Sequence, residues 1–68
     1  MKKLYEIVWC YIDDNGAVET DEYEQEKYWV SYIKAEHYDE AERLWVLRQN
    51  FRRKPEIVEF NEYVKTEK

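Results

Sequence analysis

The chain has one cysteine, one histidine, one proline, one glycine and one methionine in 68 residues. A single thiol, Cys10, forms no internal disulfide, so nothing points to an oxidising compartment, and a cytoplasmic location is expected. One cysteine and one histidine do not supply the three or four nitrogen and sulfur ligands of a zinc site. One glycine rules out a glycine-rich phosphate cradle. The longest apolar run, Ile7 to Ile12, is far short of the ~20 residues that cross a bilayer. The start Met1-Lys2-Lys3-Leu4 has the charge of an export signal, but Glu6 interrupts it and no small-residue cleavage site follows.

What is abundant is charge and aromaticity. Charged residues make up 40% of the chain and aromatic ones 18%, too rich in rings for a disordered polar tail. The mean hydropathy is −1.00 and the mass 8.6 kDa. A chain this short hides only about 60% of its surface, so a single domain over residues 1–68 with a thin core is expected. The net charge of −5 repels nucleic acid and anionic membranes as a whole. The charges are segregated, however. Asp13, Asp14, Glu19, Asp21, Glu22, Glu24 and Glu26 form an acidic run without a base, and Arg43, Arg48, Arg52, Arg53 and Lys54 a basic run without an acid.

Leu4–Ile12 and Lys27–Ala35 are rich in β-branched and aromatic residues and read as strands. Asn15-Gly16 is a turn signal. A two-residue hairpin there would nevertheless set Tyr28 against Lys3 and leave most of the second strand unpaired. Residues 13–26 are therefore read as a long acidic loop, with room for a short helical turn from Thr20 or Asp21. Residues 38–50 read as a helix capped by His37 or Asp39, with Ala41, Leu44, Trp45, Leu47 and Phe51 in one stripe. Lys54-Pro55 ends that segment, and Glu56–Val64 alternates as a last strand. The fold expected is α+β: a β-β-α-β chain whose right-handed crossover gives a three-stranded antiparallel sheet of order 2-1-3 with one helix on one face.

Alternation assigns Ile33, Ser31, Trp29, Val58, Phe60, Val64, Val8, Cys10 and Ile12 to the helix side. It leaves Tyr5, Ile7, Trp9, Tyr11, Tyr28, Val30, Tyr32, Ile57 and Tyr63 on the other. Such a face is not the polar side of an ordinary half-wet sheet. It reads as a contact surface, with back-to-back homodimerisation its simplest use and Trp9 near the centre. On that reading Trp9→Glu gives a folded monomer or an aggregate.

Chemistry finds little support. Cys10 and His37 sit at opposite ends of the paired strands, roughly 20 Å apart at ~3.3 Å per residue, so they form no dyad. Residues 11–22 resemble a calcium-binding EF-hand loop at Asp13, Asn15, Gly16, Glu19 and Glu22, but Tyr11 stands at the first ligand position and a strand replaces the entering helix. No dry carboxylate pair and no volume for a substrate pocket are evident, which speaks against an enzyme. No cofactor or metal is expected. A tyrosine-rich sheet invites comparison with RNA-recognition motifs, whose four strands and Lys/Arg-Gly-aromatic signature are missing.

Two uses remain. The chain is similar, in composition alone, to small acidic accessory or inhibitor proteins of bacteriophages and mobile elements. That similarity implies a non-enzymatic protein-interaction module which masks a larger protein, its acidic loop standing in for nucleic-acid phosphates. The alternative is a small regulatory nucleic-acid-associated protein using the Arg43–Lys54 patch. The acidic loop is expected to be dispensable for folding, so that changing Glu19, Asp21, Glu22 and Glu24 to Gln leaves the thermal midpoint equal or higher.

Overall fold

A computed structural model describes residues 2–63. The order is β1 (Lys3–Cys10), β2 (Trp29–Ala35), α1 (Tyr38–Arg48) and β3 (Glu56–Glu62). The sheet is antiparallel with order β2-β1-β3, and α1 packs on one face, chiefly against β2. This is the small α+β fold expected, with the most apolar strand at the centre. Val64, assigned to the last strand, lies outside the described residues.

β1 and β2 pair with Lys3 opposite Ala35, Tyr5 opposite Ile33 and Trp9 opposite Trp29. The connection between them thus runs from Tyr11 to Tyr28, as the failed hairpin register required. The same register corrects the assignment of faces. Odd-numbered residues of the two strands share a side, so Tyr5, Ile7, Trp9 and Tyr11 join Ser31, Ile33 and Ala35 beneath the helix, and all are buried. Val8 is instead half-buried on the side away from the helix. A shift of parity by one residue flips a whole strand, and only the partner strand fixes it. The outcome is physically sensible, because the larger rings gain most from the single helix available.

A bulge alters β3 in the same way. Val8 pairs with Glu59 but Trp9 with Ile57, so Val58 is the extra residue. Ile57 and Phe60 both pack against the core, while Val58 stays about half exposed. This reverses the sides expected for Ile57 and Val58.

The core is mostly aromatic. Trp9 stacks on Trp29 with ring centroids 5.0 Å apart and meets Tyr11, Trp45 and Phe51 edge-on. Its Nε1 donates to Ser31 Oγ at 3.1 Å, which gives that buried hydroxyl a partner. From the helix only Ala41 and Trp45 are fully buried, with Leu44 and Phe51 packed at the margin. Leu47, expected in the stripe, is 74% exposed. His37 stands at the N-cap without a side-chain bond. Glu40 instead reaches back to accept from the Glu36 backbone N–H at 2.8 Å.

Candidate functional site

The acidic segment is not an open loop. Asp13 Oδ1 accepts from the N–H groups of Asn15 and Ala17, and Asp21 Oδ1 accepts from those of Tyr23 and Gln25. Each aspartate therefore closes a turn by replacing missing backbone partners. Gly16 at φ +82° completes the first turn. Glu24 at φ +63° completes the second, a conformation uncommon for a side-chain-bearing residue. Bridges Ile12–Val18 and Thr20–Glu26 fold the segment into a small meander. The bonds Glu19 N–H to Tyr11 C=O and Lys27 N–H to Glu19 C=O hold its limbs together. The turn Asp21–Glu24 stands where the sequence allowed a helical turn.

Glu19 faces inward, onto the basic segment. Its two carboxylate oxygens accept from Arg52 at 2.7 Å and from Arg53 at 2.6 Å. Both guanidinium groups lie over the ring of Tyr11, at 4.5 and 5.4 Å from its centroid, and the Tyr11 hydroxyl accepts from the Arg52 N–H. The oppositely charged runs thus meet in space, although 33 residues separate Glu19 from Arg52. The hydrogen bond from the Arg52 guanidinium holds the Glu19 carboxyl below its ordinary value, helped by the charges of Arg52, Arg53 and Lys27. The same bond raises Arg52. This corrects the expectation of a dispensable loop, for Glu19, Asp13 and Asp21 have structural partners. It also divides the basic patch. Arg52 and Arg53 are engaged, Lys54 rims a groove, and Arg43 and Arg48 are exposed on α1.

The pairing makes a testable pH dependence. With the folded pKa of Glu19 depressed, its contribution is complete above the unfolded carboxyl value near 4.5 and is lost as pH falls through the lower folded value. Glu19→Gln is therefore expected to melt below wild type at pH 7. The gap should shrink as the pH is lowered through the acid range, as read by thermal unfolding at a series of pH values. A gap unchanged at the acid end would show that the carboxylate charge is not what the arginines hold.

What remains pointing outward is Asp14, Glu22, Tyr23 and Glu24, all exposed, with Tyr23 at 76%. The calcium-loop resemblance does not assemble ligands, since Asp13 serves its own turn and Glu19 the arginines. Among the described residues, no group of three His, Cys, Asp or Glu is placed to hold a metal ion. Cys10 is buried, and burial together with Glu56 and Glu26 pushes its thiol up, away from nucleophilic use. Among the described residues, no helix is long and apolar enough to cross a membrane.

The sheet face away from the helix differs from the one expected. Tyr28, Val30, Tyr32 and Tyr63 are on it and between 43% and 52% exposed. Tyr5, Ile7, Trp9 and Tyr11 are not. The central strand contributes Leu4, Val8 and, in the middle, Glu6, which accepts from the Tyr32 hydroxyl at 3.0 Å. Bonds to carboxylates raise both Tyr32, through Glu6, and Tyr28, through Glu26. Closing two such faces back to back would bury both copies of Glu6, whose carboxylate must then give up water for the Tyr32 hydroxyl, at a desolvation cost. Of the aromatic dimer face anticipated from alternation, Tyr5, Ile7, Trp9 and Tyr11 are core, while Tyr28, Val30, Tyr32 and Tyr63 stay exposed.

A groove of about 420 Å³ lies between α1 and the return to β3, lined by Trp45, Val46, Phe51, Pro55 and Ile57 with Glu42, Lys54 and Glu56 at its rim. It exists because the helix leaves part of the sheet uncovered. Comparison with protein-family models, curated proteins and solved structures returned no match.

Proposed function

We propose that the protein is a non-enzymatic interaction module that binds and masks a basic surface on a larger protein through its acidic meander. The observation that carries this reading is the fixed projection of Glu22, Tyr23 and Glu24 by the Asp21 turn. Two carboxylates flank a tyrosine that is 76% exposed. Tyrosine is a frequent interface anchor, and carboxylates around it steer a cationic partner. Because internal bonds order the turn, little conformational entropy is lost on docking. A row of carboxylates on such a frame is also suited to a groove that otherwise takes nucleic-acid phosphates, which gives an inhibitor or accessory role. Nothing favours the basic-patch alternative, because Glu19 already occupies two of its five cations.

The test uses the wild-type chain and the triple variant Glu22→Gln, Tyr23→Ser, Glu24→Gln as immobilised baits in lysate of the native host. Wild type is expected to retain a basic protein that the variant loses, while both melt within about 0.5 kcal/mol of each other, as exposed substitutions do. Equal retention by the two baits would sink the proposal. Retention of the protein itself on heparin with a steep salt dependence would turn the reading toward nucleic acid.

A further inference from the structure

The two edges of the sheet are built differently. β3 begins after Pro55, contains the Val58 bulge and carries Glu56, Glu59 and Glu62. Proline, bulges and charge are the devices that keep a strand edge from pairing with another chain. β2, Trp-Val-Ser-Tyr-Ile-Lys-Ala, has no proline, no bulge and one charge, Lys34. Among the described residues, nothing pairs with its outer row of backbone groups.

We infer that the β2 edge is a homodimer interface, at which a second copy adds its own β2 antiparallel to form a continuous six-stranded sheet. The occupant is a second copy because the pattern is complementary to itself. With the two-fold axis at Ser31, Val30 faces the other copy's Tyr32, a β-branched–aromatic pair of the kind that stabilises sheets. Lys34 faces the other copy's Tyr28, whose hydroxyl is bonded to Glu26 at 2.8 Å, so an ammonium meets a carboxylate at each end of the seam. A two-fold normal to the sheet brings both helices to one side. On α1, Glu42 and Val46 line the groove beside Ile57 of β3, so the opposite flank faces the β2 edge. That flank carries Glu40, Leu44 and Arg48, four residues apart. Antiparallel apposition about Leu44 sets each Glu40 against the other copy's Arg48, with the half-buried Leu44 pair between them. Strand and helix thus each present a charge pattern that is complementary to itself under a two-fold. This interface does not depend on the acidic-meander reading, and it leaves that meander free.

Light scattering after size exclusion is the experiment, with circular dichroism checking that each variant is folded. Wild type at roughly 100 μM, above the micromolar range of small interfaces, is expected to weigh about twice 8.6 kDa. Lys34→Glu and Arg48→Glu should each raise the dissociation constant about tenfold or more, as two symmetry-related attractions become repulsions. Adding Glu26→Lys to Lys34→Glu should restore dimerisation, which a merely destabilised monomer would not show. A monomeric wild type overturns the inference. So does a dimer indifferent to both single variants but broken by Val8→Glu, which would place the contact on the open face. Loss in Lys34→Glu without recovery in the double variant overturns the Ser31 register.

Discussion

Trp9→Glu is expected to abolish cooperative unfolding. Trp9 is 6% exposed and touches four other aromatic rings, and its indole N–H bonds the buried Ser31. Removing a buried tryptophan costs about 3–5 kcal/mol through lost transfer energy and the cavity left behind. An unpartnered carboxylate in the same place adds a further desolvation cost. At ~0.05–0.15 kcal/mol per residue, a chain of this length has about 3–10 kcal/mol in all. The losses reach or exceed that reserve. Far-ultraviolet circular dichroism on heating should show no transition, with tryptophan emission at solvent-exposed wavelengths from the start. A sharp melt of a folded Trp9→Glu monomer would restore the open-face assignment that alternation suggests.

The second large effect is expected at Tyr11, where the acidic and basic runs meet. Tyr11→Ala removes a buried ring, the surface beneath two guanidinium groups and the acceptor of the Arg52 N–H. Ring burial dominates at about 3–4 kcal/mol, and the cation–π contacts add about 0.5–1 kcal/mol each at a partly exposed site. Tyr11→Phe keeps the ring and those contacts and gives up one hydrogen bond, for about 0.5–1.5 kcal/mol. Denaturant unfolding of the two variants should therefore differ by several-fold in destabilisation. Amide exchange around Arg52 should accelerate far more in the alanine variant. If the phenylalanine variant were as unstable as the alanine one, the hydroxyl bond and not the ring would be holding the basic segment.

The two expectations locate what was legible beforehand. Strand, helix and topology followed from local pattern, since β-branched runs, one 3.6-residue stripe and Lys54-Pro55 act through near neighbours in the chain. The length of the β1–β2 connection was legible too, because a two-residue hairpin failed on simple register arithmetic. Leu47 shows where the same pattern over-reached. The stripe is broad enough to include it, but a helix lying on one sheet covers only the arc around Ala41 and Trp45. The aspartate-closed turns had a signal in the sequence, an Asp two residues before each turn's centre, and it was available as an Asx-turn reading.

By itself, the sequence determined an α+β domain of order 2-1-3, a central first strand, a long acidic connection and segregated charge. Composition and near-neighbour pattern set all of these except the strand order, which followed from the right-handed hand of the crossover. Only the tertiary structure decided which side of β1 lies under the helix, because strand parity is set by the pairing of Tyr5 with Ile33 and of Trp9 with Trp29, residues twenty or more positions apart. It alone decided that the acidic and basic runs meet, through Glu19, Arg52 and Arg53, since charge attraction acts through space and leaves no trace in spacing. And it alone separated a guarded β3 edge from an unguarded β2 edge. A strand becomes an edge only by where its neighbours end, and alternation along one chain segment carries no record of that.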